Sequence, residues 1–491
     1  MGLKRKTQNL QELLKTYGTQ IPVYLSSQLA NDEFKQLRKL IVDQHLKSVD
    51  TTTPEKMAAA KRGAAKLIRP HVIGRKGPQY HGFSKKILAG KYETCRIMDA
   101  LYPVREEKWK APISRRKDTE LSIQDFSFLD NPVGTMEFFR KLTEIEAEAL
   151  SLIINFDDDQ VLDVAPFLVF GVIKQNMLPI TKGGHMKPSV MKVIEAVGLR
   201  HFLEIGPFMS LKNKKDVWAF PMKQKNIPAK KSYSKLALEP TTKEKIQDQL
   251  VIKINEWLNQ IGLEFSQSGR NQLNVMAGEA LDNGERHSNP ESETGNWTIA
   301  GFMAKRGNGS SSTAYEYVCH LSIMSVGSSI GETIESTPES AHKKIESYCD
   351  KHEKHLIKRK FNRETLRTVC ALQDGVSRFD QEKEGISGGV GIMEFVSLMN
   401  DLGSSPIVKR KPQLTIVSGK SCIMFKEQYS NGVSKGPEEP RMQWFNAKNS
   451  LDYPPDEDYV FDLPYKLQGT IVTMRFTLDE GYLQEKVGEN G

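Results

Sequence analysis

The chain has 491 residues, of which 38% are hydrophobic and 26% are charged, a composition that is typical of globular proteins and excludes an intrinsically disordered chain. Its length gives room for about two or three domains with apolar cores. The five cysteines are scattered and contain no Cys-x-x-Cys pair, which disfavours a disulfide framework or a thiolate zinc site and favours a reducing cytosol.

The most apolar stretch of the chain does not have the pattern of a membrane span. It starts at Val161 and reads VLDVAPFLVFGVI, which falls short of the roughly 18 apolar residues that a span requires, and it contains Asp163. The basic amino terminus lacks the apolar core of a secretion signal. We therefore predict a cytoplasmic protein without a membrane partner.

The positive charge is concentrated near the amino terminus. Residues 1–120 contain 25 Lys and Arg against 12 Asp and Glu, a net charge of +13, whereas the whole chain carries +8. We predict a basic, mainly helical and loop-rich module over 1–110, with helices at LQELLKTYG and NDEFKQLRKLIVDQHLK that are interrupted at RPHVIGRKGPQYHG. With Tyr80 and Phe83 interleaved, this charge suits phosphates and bases of a nucleic acid. A solvated face and an acidic protein partner are the alternatives.

From residue 119 the pattern changes to alternating strands and helices. TELSIQDFSFL and SLIINFD are typical of strands, whereas TMEFFRKLTEIEAEAL, VLDVAPFLVFGVIKQN and SVMKVIEAVGLRHFLE are typical of helices, and LPITKGGHMKP is predicted to be a loop. This alternation predicts a small α/β domain over 119–210. The Lys- and Pro-rich residues 211–240 lack periodicity and are predicted to be a linker.

The remaining chain predicts a second mixed domain over 241–480, which makes the fold class α+β. It opens with two helices, TTKEKIQDQLVIKINEWLNQIGL and RNQLNVMAGEALDNGERH, and continues with a hairpin over 296–327 whose turn contains Asn308 and Gly309. The hairpin's return strand alternates apolar and polar residues. A charged helix, a Gly-rich loop leading into a helix, a strand pair near PQLTIVSGKSCIMF and a last strand GTIVTMRFTL complete the domain.

The order of these elements and the residues on them resemble the ATP-binding domain shared by histidine kinases, gyrase-type topoisomerases, heat-shock chaperones and mismatch-repair MutL, the GHKL superfamily. The resemblance covers about residues 240–480. Glu279 and Asn283 match the family's Glu-x-x-x-Asn helix, and His287 extends the match to the anti-sigma-factor serine kinases. A polar helix whose four-residue spacing is coincidental is the alternative.

The glycine motifs extend the resemblance. In GGVGIMEF, Gly388, Gly389 and Gly391 match the second glycine box, whose backbone N–H groups approach phosphates at the start of a helix. Gly469 and Thr470 match the Gly-Thr that precedes the closing strand. The family's first box is Asp-x-Gly, but this sequence has Ser325 in the place of the Asp and retains Gly327. A serine hydroxyl discriminates adenine less sharply than a carboxylate.

The resemblance implies a Bergerat-type α/β sandwich with ATP and magnesium as cofactors. Asn283 would be a magnesium ligand, and Glu279 would be the general base that orients and deprotonates the attacking water or hydroxyl. His287, Ser325, Gly327, Thr470 and the second glycine box would complete the nucleotide site. Relatives commonly dimerise around the nucleotide, which leaves a homodimer open.

The 119–210 segment resembles the STAS domains through which anti-sigma-factor antagonists and their kinases interact. Those antagonists carry a phosphorylatable serine at a strand-to-helix turn, where this sequence reads LDVAPF. The resemblance therefore implies a docking or regulatory domain, and an unrelated small α/β domain is the alternative.

Three functions follow as hypotheses. The first is an ATP- and magnesium-binding switch, an ATPase that recognises a protein partner; the second is a serine/threonine kinase; and the third is a nucleic-acid-binding protein with a degenerate nucleotide pocket. Cys349, His352 and His355 are three residues apart, but the Lys and Glu around them favour a solvated helix over a metal site.

Overall fold

The computed structural model describes residues 19, 21, 31–76, 92–110, 119–205, 216–225, 242–288, 295–307, 315–334, 339–355, 358–359, 361–373, 391–403, 411–430, 442–479 and 483. The chain divides into two compact units. The first unit comprises Met1–Ser122, Arg140–Asn155 and Asn176–His185, and the second comprises Ile123–Phe139, Phe156–Gln175 and Met186–Gly491. The predicted 119–210 segment contributes residues to both, and the predicted domain boundaries remain predictions.

The basic amino-terminal segment is helical, with α1 (Asn31–Ser48), α2 (Pro54–Lys76), α3 (Arg96–Leu101) and α4 (Arg105–Lys110). Helices α1 and α2 approach closely, because a Cβ added to Gly63 would lie 2.6 Å from Nε2 of His45. The interruption predicted at RPHVIGRKGPQYHG is wrong as far as Lys76, since α2 continues through Pro70, and residues 77–82 lie outside the described residues. Proline removes one helical hydrogen bond, and the burial of Ile68 and His71 on either side of it compensates. The predicted helix LQELLKTYG lies outside the described residues.

A three-stranded parallel sheet follows in the order β1-β2-β3. Its elements along the chain are β1 (Thr119–Ile123), α5 (Pro132–Glu148), β2 (Leu152–Phe156), α6 (Ala165–Asn176) and β3 (Thr181–Met186). The segment LPITKGGHMKP, predicted to be a loop, therefore contains a strand. Gly184 permits the pairing, since a Cβ there would lie 1.7 Å from the carbonyl oxygen of Ile154. Gly and Lys mask the strand pattern in the sequence.

Two further predictions in this region need correction. The predicted strand TELSIQDFSFL ends at Ile123, and Asp125 soon after it has a positive φ of 56°. The predicted helix SVMKVIEAVGLRHFLE is split into α7 (Pro188–Ala196) and α8 (Leu199–Phe202). Gly198 separates them with a φ of 78°, a left-handed conformation that glycine adopts without steric strain and that ends a helix.

The second unit is built on a five-stranded antiparallel sheet in the order β4-β5-β6-β10-β9. Its strands are β4 (Val217–Lys225), β5 (Trp297–Gly307), β6 (Tyr315–Val326), β9 (Gln413–Phe425) and β10 (Val460–Leu478). Strand β4 lies within the predicted linker, which is therefore partly structured. A single strand, β9, takes the place of the predicted strand pair. The turn with Asn308 and Gly309 lies outside the described residues.

Helices cover one face of this sheet. They are α9 (Lys243–Asn259), α10 (Gln267–His287), α11 (Ile330–Thr333), α12 (Glu339–His352), α13 (Arg363–Ala371) and α14 (Gly391–Gly403), and a short ribbon of β7 (Lys354–His355) and β8 (Lys358–Arg359) follows α12. Helix and strand side chains share one apolar core, to which α9 contributes Trp257 and β6 contributes Leu321. The helices α9 and α10 begin with Thr242 and Ser266 as N-caps, as their sequences favour.

The opposite face of the sheet is also covered. His320 and Ser322 are fully buried, although their alternation with apolar residues predicts a half-exposed strand. The ring of His320 stacks on Phe302 at 4.6 Å between centroids. Segments 123–139 and 156–175 provide the cover: Arg475 donates to both oxygens of Asp130 at 2.6 and 2.9 Å. Burial on both faces explains why the alternation does not mark a solvent side.

Asp163 is the buried anchor of this cover. Its carboxylate accepts from the Thr473 hydroxyl on β10 at 2.6 Å and from the backbone N–H groups of Phe128 and Ala165, each at 3.0 Å. Burial raises the pKa of Asp163 and opposes these hydrogen bonds, which favour the ionised form. The same residue interrupts the apolar run before α6. None of the described helices is both long and apolar enough to cross a membrane.

Replacing Asp163→Ala should lower the free energy of unfolding by about 3 kcal/mol, because it leaves two backbone N–H groups and one hydroxyl proton of the hydrogen-bonded Thr473–Ser322 pair buried without an acceptor. The urea midpoint followed by intrinsic fluorescence measures the loss. Asp159→Ala is the matched control, since Asp159 lies in the same segment with a side chain that is 85% exposed. Equal midpoints for the two variants would contradict the role of Asp163.

Candidate functional site

Helix α10 carries the predicted functional residues Glu279, Asn283 and His287. The helix buries Leu273, Met276, Ala277, Ala280 and Leu281 against neighbouring elements. Glu279 is half-buried and Asn283 is exposed, so both side chains lie at the border of the packed face. His287 is the last residue of the helix. The four-residue spacing therefore lies on one helix, as the sequence predicts.

The surroundings of Glu279 raise the pKa of its carboxyl group. Burial raises its pKa, and the neighbouring carboxylate of Asp282 raises it further, whereas the cations of Arg286 and Lys243 act in the opposite direction. Lys243 is itself an ion-pair partner of Asp282. A carboxylate with a raised pKa binds a proton more readily than an ordinary surface carboxylate does.

Gly284 brings α10 directly onto the ends of two strands. A Cβ added there would lie 3.2 Å from the Asn296 carbonyl oxygen, 3.2 Å from Cβ of Trp297 and 3.7 Å from Cβ of Ser325. The next residue, Glu285, accepts from the Trp297 indole at 2.8 Å and pairs with Lys225. Because Gly284 follows Asn283 directly, this approach sets Asn283 beside the strand end that carries Ser325.

The side chain of Asn296 fixes the end of β6 with two hydrogen bonds. The Asn296 amide donates to the Val326 carbonyl at 2.6 Å and accepts from the Val326 N–H at 2.7 Å. Gly327 then turns with a φ of 150°, and a Cβ there would lie 1.6 Å from the Ser288 carbonyl oxygen. Only glycine fits this approach, so the Ser-x-Gly sequence has a structural reason that holds with or without a ligand.

A row of hydroxyl groups crosses the sheet at this end. Thr470 on β10 pairs with Ser325 on β6 and with Ser418 on β9, and the Thr470 and Ser418 hydroxyl groups are 2.7 Å apart. Along their strands these residues alternate in step with core residues such as Ile323 and Val472, so they face the helix layer. The Ser418 hydroxyl also accepts from the backbone N–H of Ile330 at 2.8 Å, where α11 begins.

Helix α14 ends beside β10. A Cβ on Gly403, its last residue, would lie 2.8 Å from Cβ of Phe476. The helix contacts both β10 and α10, so it belongs to the helix layer over the sheet. Gly391 is its first residue.

The structure describes some of the predicted motif residues but not all of them. Ser325, Gly327 and Thr470 lie together, next to the α10 turn with Asn283. Gly388 and Gly389 lie outside the described residues. The residues that sequence reasoning missed are Asn296 and Ser418, because a polar residue before a strand and a serine inside one have no distinctive pattern.

Two members of the discounted metal site, Cys349 and His352, are buried, and the side chain of His355 lies outside the described part of the chain. Cys349 is fully buried with a pKa raised by burial to about 12, and His352 lies 2.9 Å from the Leu451 carbonyl oxygen. Both side chains face the core, which corrects the prediction of a solvated helix. Among the described residues, no three His, Cys, Asp or Glu side chains form a group that could hold a metal ion.

Comparison with family models, curated protein sequences and solved structures finds no match to this chain. The GHKL and STAS resemblances therefore stay predictions that rest on the motifs. What the structure adds is the position of those motifs on the sheet of the second unit.

Gly327→Ala should lower the free energy of unfolding by at least about 2 kcal/mol, since the added Cβ meets the Ser288 backbone and the residue keeps a positive φ. Thermal unfolding followed by circular dichroism measures the shift. Gly307→Ala on β5 is the control, because no described atom lies within 4 Å of its Cβ position. A Gly327→Ala protein as stable as this control would contradict the close packing of this turn.

Proposed function

We propose that the second unit binds ATP with Mg²⁺ in the manner of a GHKL-type ATPase and uses binding or slow hydrolysis as a conformational switch for recognition of a protein partner. One observation supports the proposal. Ser325 at the end of β6 pairs with Thr470 on β10, and the α10 turn that packs against Ser325 does so through Gly284, the residue that follows Asn283.

The chemistry of these residues fits the nucleotide. The hydroxyl groups of Ser325 and Thr470 are polar groups in an otherwise apolar layer, and such groups orient a base that packs in it. In the proposed complex the phosphates would meet the start of α14 at Gly391, since the N–H groups and dipole of a helix start favour anions. The exposed amide oxygen of Asn283 is a ligand type that Mg²⁺ accepts together with waters and phosphates.

Asn283 would hold the Mg²⁺ ion, whose chemical contribution when bound would be to neutralise phosphate charge. The chain's own contribution to hydrolysis is Glu279, one helical turn from Asn283. Its half-buried carboxylate, with a raised pKa, would hold the attacking water by a hydrogen bond and accept its proton. Placing acceptor and metal ligand on one rigid helix fixes their separation.

A route from the site to the rest of the unit runs through Ser418. Its hydroxyl contacts Thr470 in the candidate site and also holds the backbone N–H that begins α11. Beside it, Ser329 donates to Glu364 at 2.5 Å, and Glu364 also accepts from the Lys420 N–H. A ligand that engages the Thr470 hydroxyl would compete for this chain of hydrogen bonds and so bias the position of α11.

Asn283→Ala should abolish ATP binding in the presence of Mg²⁺, because it removes the proposed metal ligand while keeping a good helix former. Isothermal titration calorimetry with ATP, GTP and a non-hydrolysable ATP analogue measures binding to parent and variant. The ratio of ATP to GTP affinity also reports how strictly Ser325 selects the base.

Asn271→Ala is the matched control, since Asn271 is an exposed asparagine on the same helix and lies about 18 Å from Asn283 along it. Equal binding by the parent and Asn283→Ala would remove Asn283 from the site. Absence of binding by the parent would refute the proposed function.

Glu279→Gln should leave nucleotide binding within about twofold and lower turnover by roughly 10²- to 10⁴-fold, because the amide cannot accept the proton. Release of inorganic phosphate from ATP measures turnover. In the parent, turnover should rise with pH through the raised pKa of Glu279, since only the ionised form is a base. Glu256→Gln, on α9, is the control.

Unchanged turnover in Glu279→Gln would exclude Glu279 as the base. With γ-labelled ATP, label that appears on a protein instead of as free phosphate would favour the kinase hypothesis over the ATPase.

A further inference from the structure

The helical pair α1 and α2 of the first unit carries an unbalanced positive charge. Residues 31–76 contain 11 Lys and Arg against 5 Asp and Glu, a net charge of +6. On α2 the only acidic residue is Glu55, in the first turn. From Lys56 to Lys76 the helix has seven basic residues and no acidic one, so its charge has no compensation along its own length.

The cations of α2 are exposed along one stretch of the helix. Lys61, Arg62, Lys66 and Arg69 all point to solvent, while Ala60, Ala64 and Ile68 are buried. None of the four forms an ion pair with another described residue. Lys56, in contrast, is paired with Asp50 at 2.5 Å. The four free cations therefore remain available to an external anion.

Helix α1 extends the basic surface beside α2. Lys35, Arg38 and Lys39 line a groove of about 320 Å³ whose wall on the α2 side includes Ile68. Arg38 and Lys39 form no ion pair with described residues, and the contact of Lys35 with Asp32 at 3.6 Å joins two side chains that are 78% and 90% exposed. Such exposed pairs contribute little and are easily exchanged for a phosphate.

The residues on the exposed face of α2 favour one class of anionic partner over the others. Over residues 54–71 of α2, whose side chains the structure describes, no large apolar side chain is exposed, so this stretch lacks the residues that insert an amphipathic helix into a bilayer. The exposed positions among its cations are alanines such as Ala58 and Ala65, which offer no aromatic surface for stacking single-stranded bases. The basic residues from Lys61 to Arg69 span about 12 Å along the helix axis. All of their charges are positive, which suits the repeating negative charges of a phosphate chain.

We propose that α1 and α2 bind the phosphate backbone of a double-stranded nucleic acid. Arg62, Lys66 and Arg69 would contact phosphates directly, and Arg38 and Lys39 would follow the backbone along the groove. Small alanines between the cations allow the helix to approach the duplex closely. This binding depends on the charge and shape of the duplex. It is therefore independent of base sequence and of the nucleotide site in the second unit.

The test compares the full-length parent with the triple variant Arg62→Gln, Lys66→Gln, Arg69→Gln, in which glutamine preserves helix propensity. Fluorescence anisotropy measures binding to a labelled random-sequence DNA duplex of about 24 base pairs over a range of salt concentrations. The parent should bind with a steep negative salt dependence. The variant should bind at least about tenfold more weakly, with a logarithmic salt slope that is smaller in magnitude by about 2 to 3.

The control variant Lys253→Gln, Lys351→Gln, Lys448→Gln removes the same charge from the second unit and should bind like the parent. Circular dichroism verifies that both variants are folded. An RNA duplex of equal length distinguishes the two sources of duplex phosphate, and tighter binding to either supports the proposal. Equal binding by the parent and the α2 variant, preference for single strands, binding only to phosphatidylserine vesicles, or no binding by the parent would overturn it.

Discussion

The burial of both faces of the five-stranded antiparallel sheet is the constraint on which the second unit depends. An antiparallel sheet commonly leaves one face to water, but β6 and β10 are covered on both sides. On the helix side the cover is apolar and the hydrophobic effect suffices. On the other side Ser322, Thr473 and Arg475 are buried, and each hydrogen bond that they lose to water must be replaced within the protein.

The carboxylate of Asp163 meets that requirement at the centre and the carboxylate of Asp130 meets it at the edge. Thr473 and Ser322 lie 2.7 Å apart, and Thr473 donates to Asp163. Asp163 also accepts hydrogen bonds from two backbone N–H groups of the covering segments, so one buried carboxyl group joins the sheet to its cover.

With both faces filled, the open polar positions of the sheet lie at its end, where α10 crosses the strands. Gly284, Gly327 and Gly469 each stand where a Cβ would collide with neighbouring atoms, at 3.2 Å or less. These glycines bring helix and strand backbones together, and they leave Ser325, Thr470 and Ser418 in a row beneath the helix layer. The same packing that stabilises the fold therefore concentrates polar groups at this end of the sheet.

The sequence by itself determined the elements whose pattern is local. Apolar spacing predicts α1, α9 and α10, and the turn residues and alternation predict the β5–β6 hairpin. It also placed Glu279 and Asn283 one turn apart, which helix geometry alone requires. Strands β3 and β4 were missed because glycine, lysine and proline in them hide the two-residue period, and pairing with neighbours supplies the stability that propensity does not.

Only the tertiary structure decided what lies beside what. The meeting of Ser325 with Thr470 depends on the register of strands that are far apart in the chain, and the burial of His320 and Ser322 depends on segments that fold back over the sheet. Likewise, the persistence of α2 through Pro70 depends on packing beside it. Such contacts are set by long-range packing and by the need to satisfy buried polar groups, which no local pattern of residues encodes.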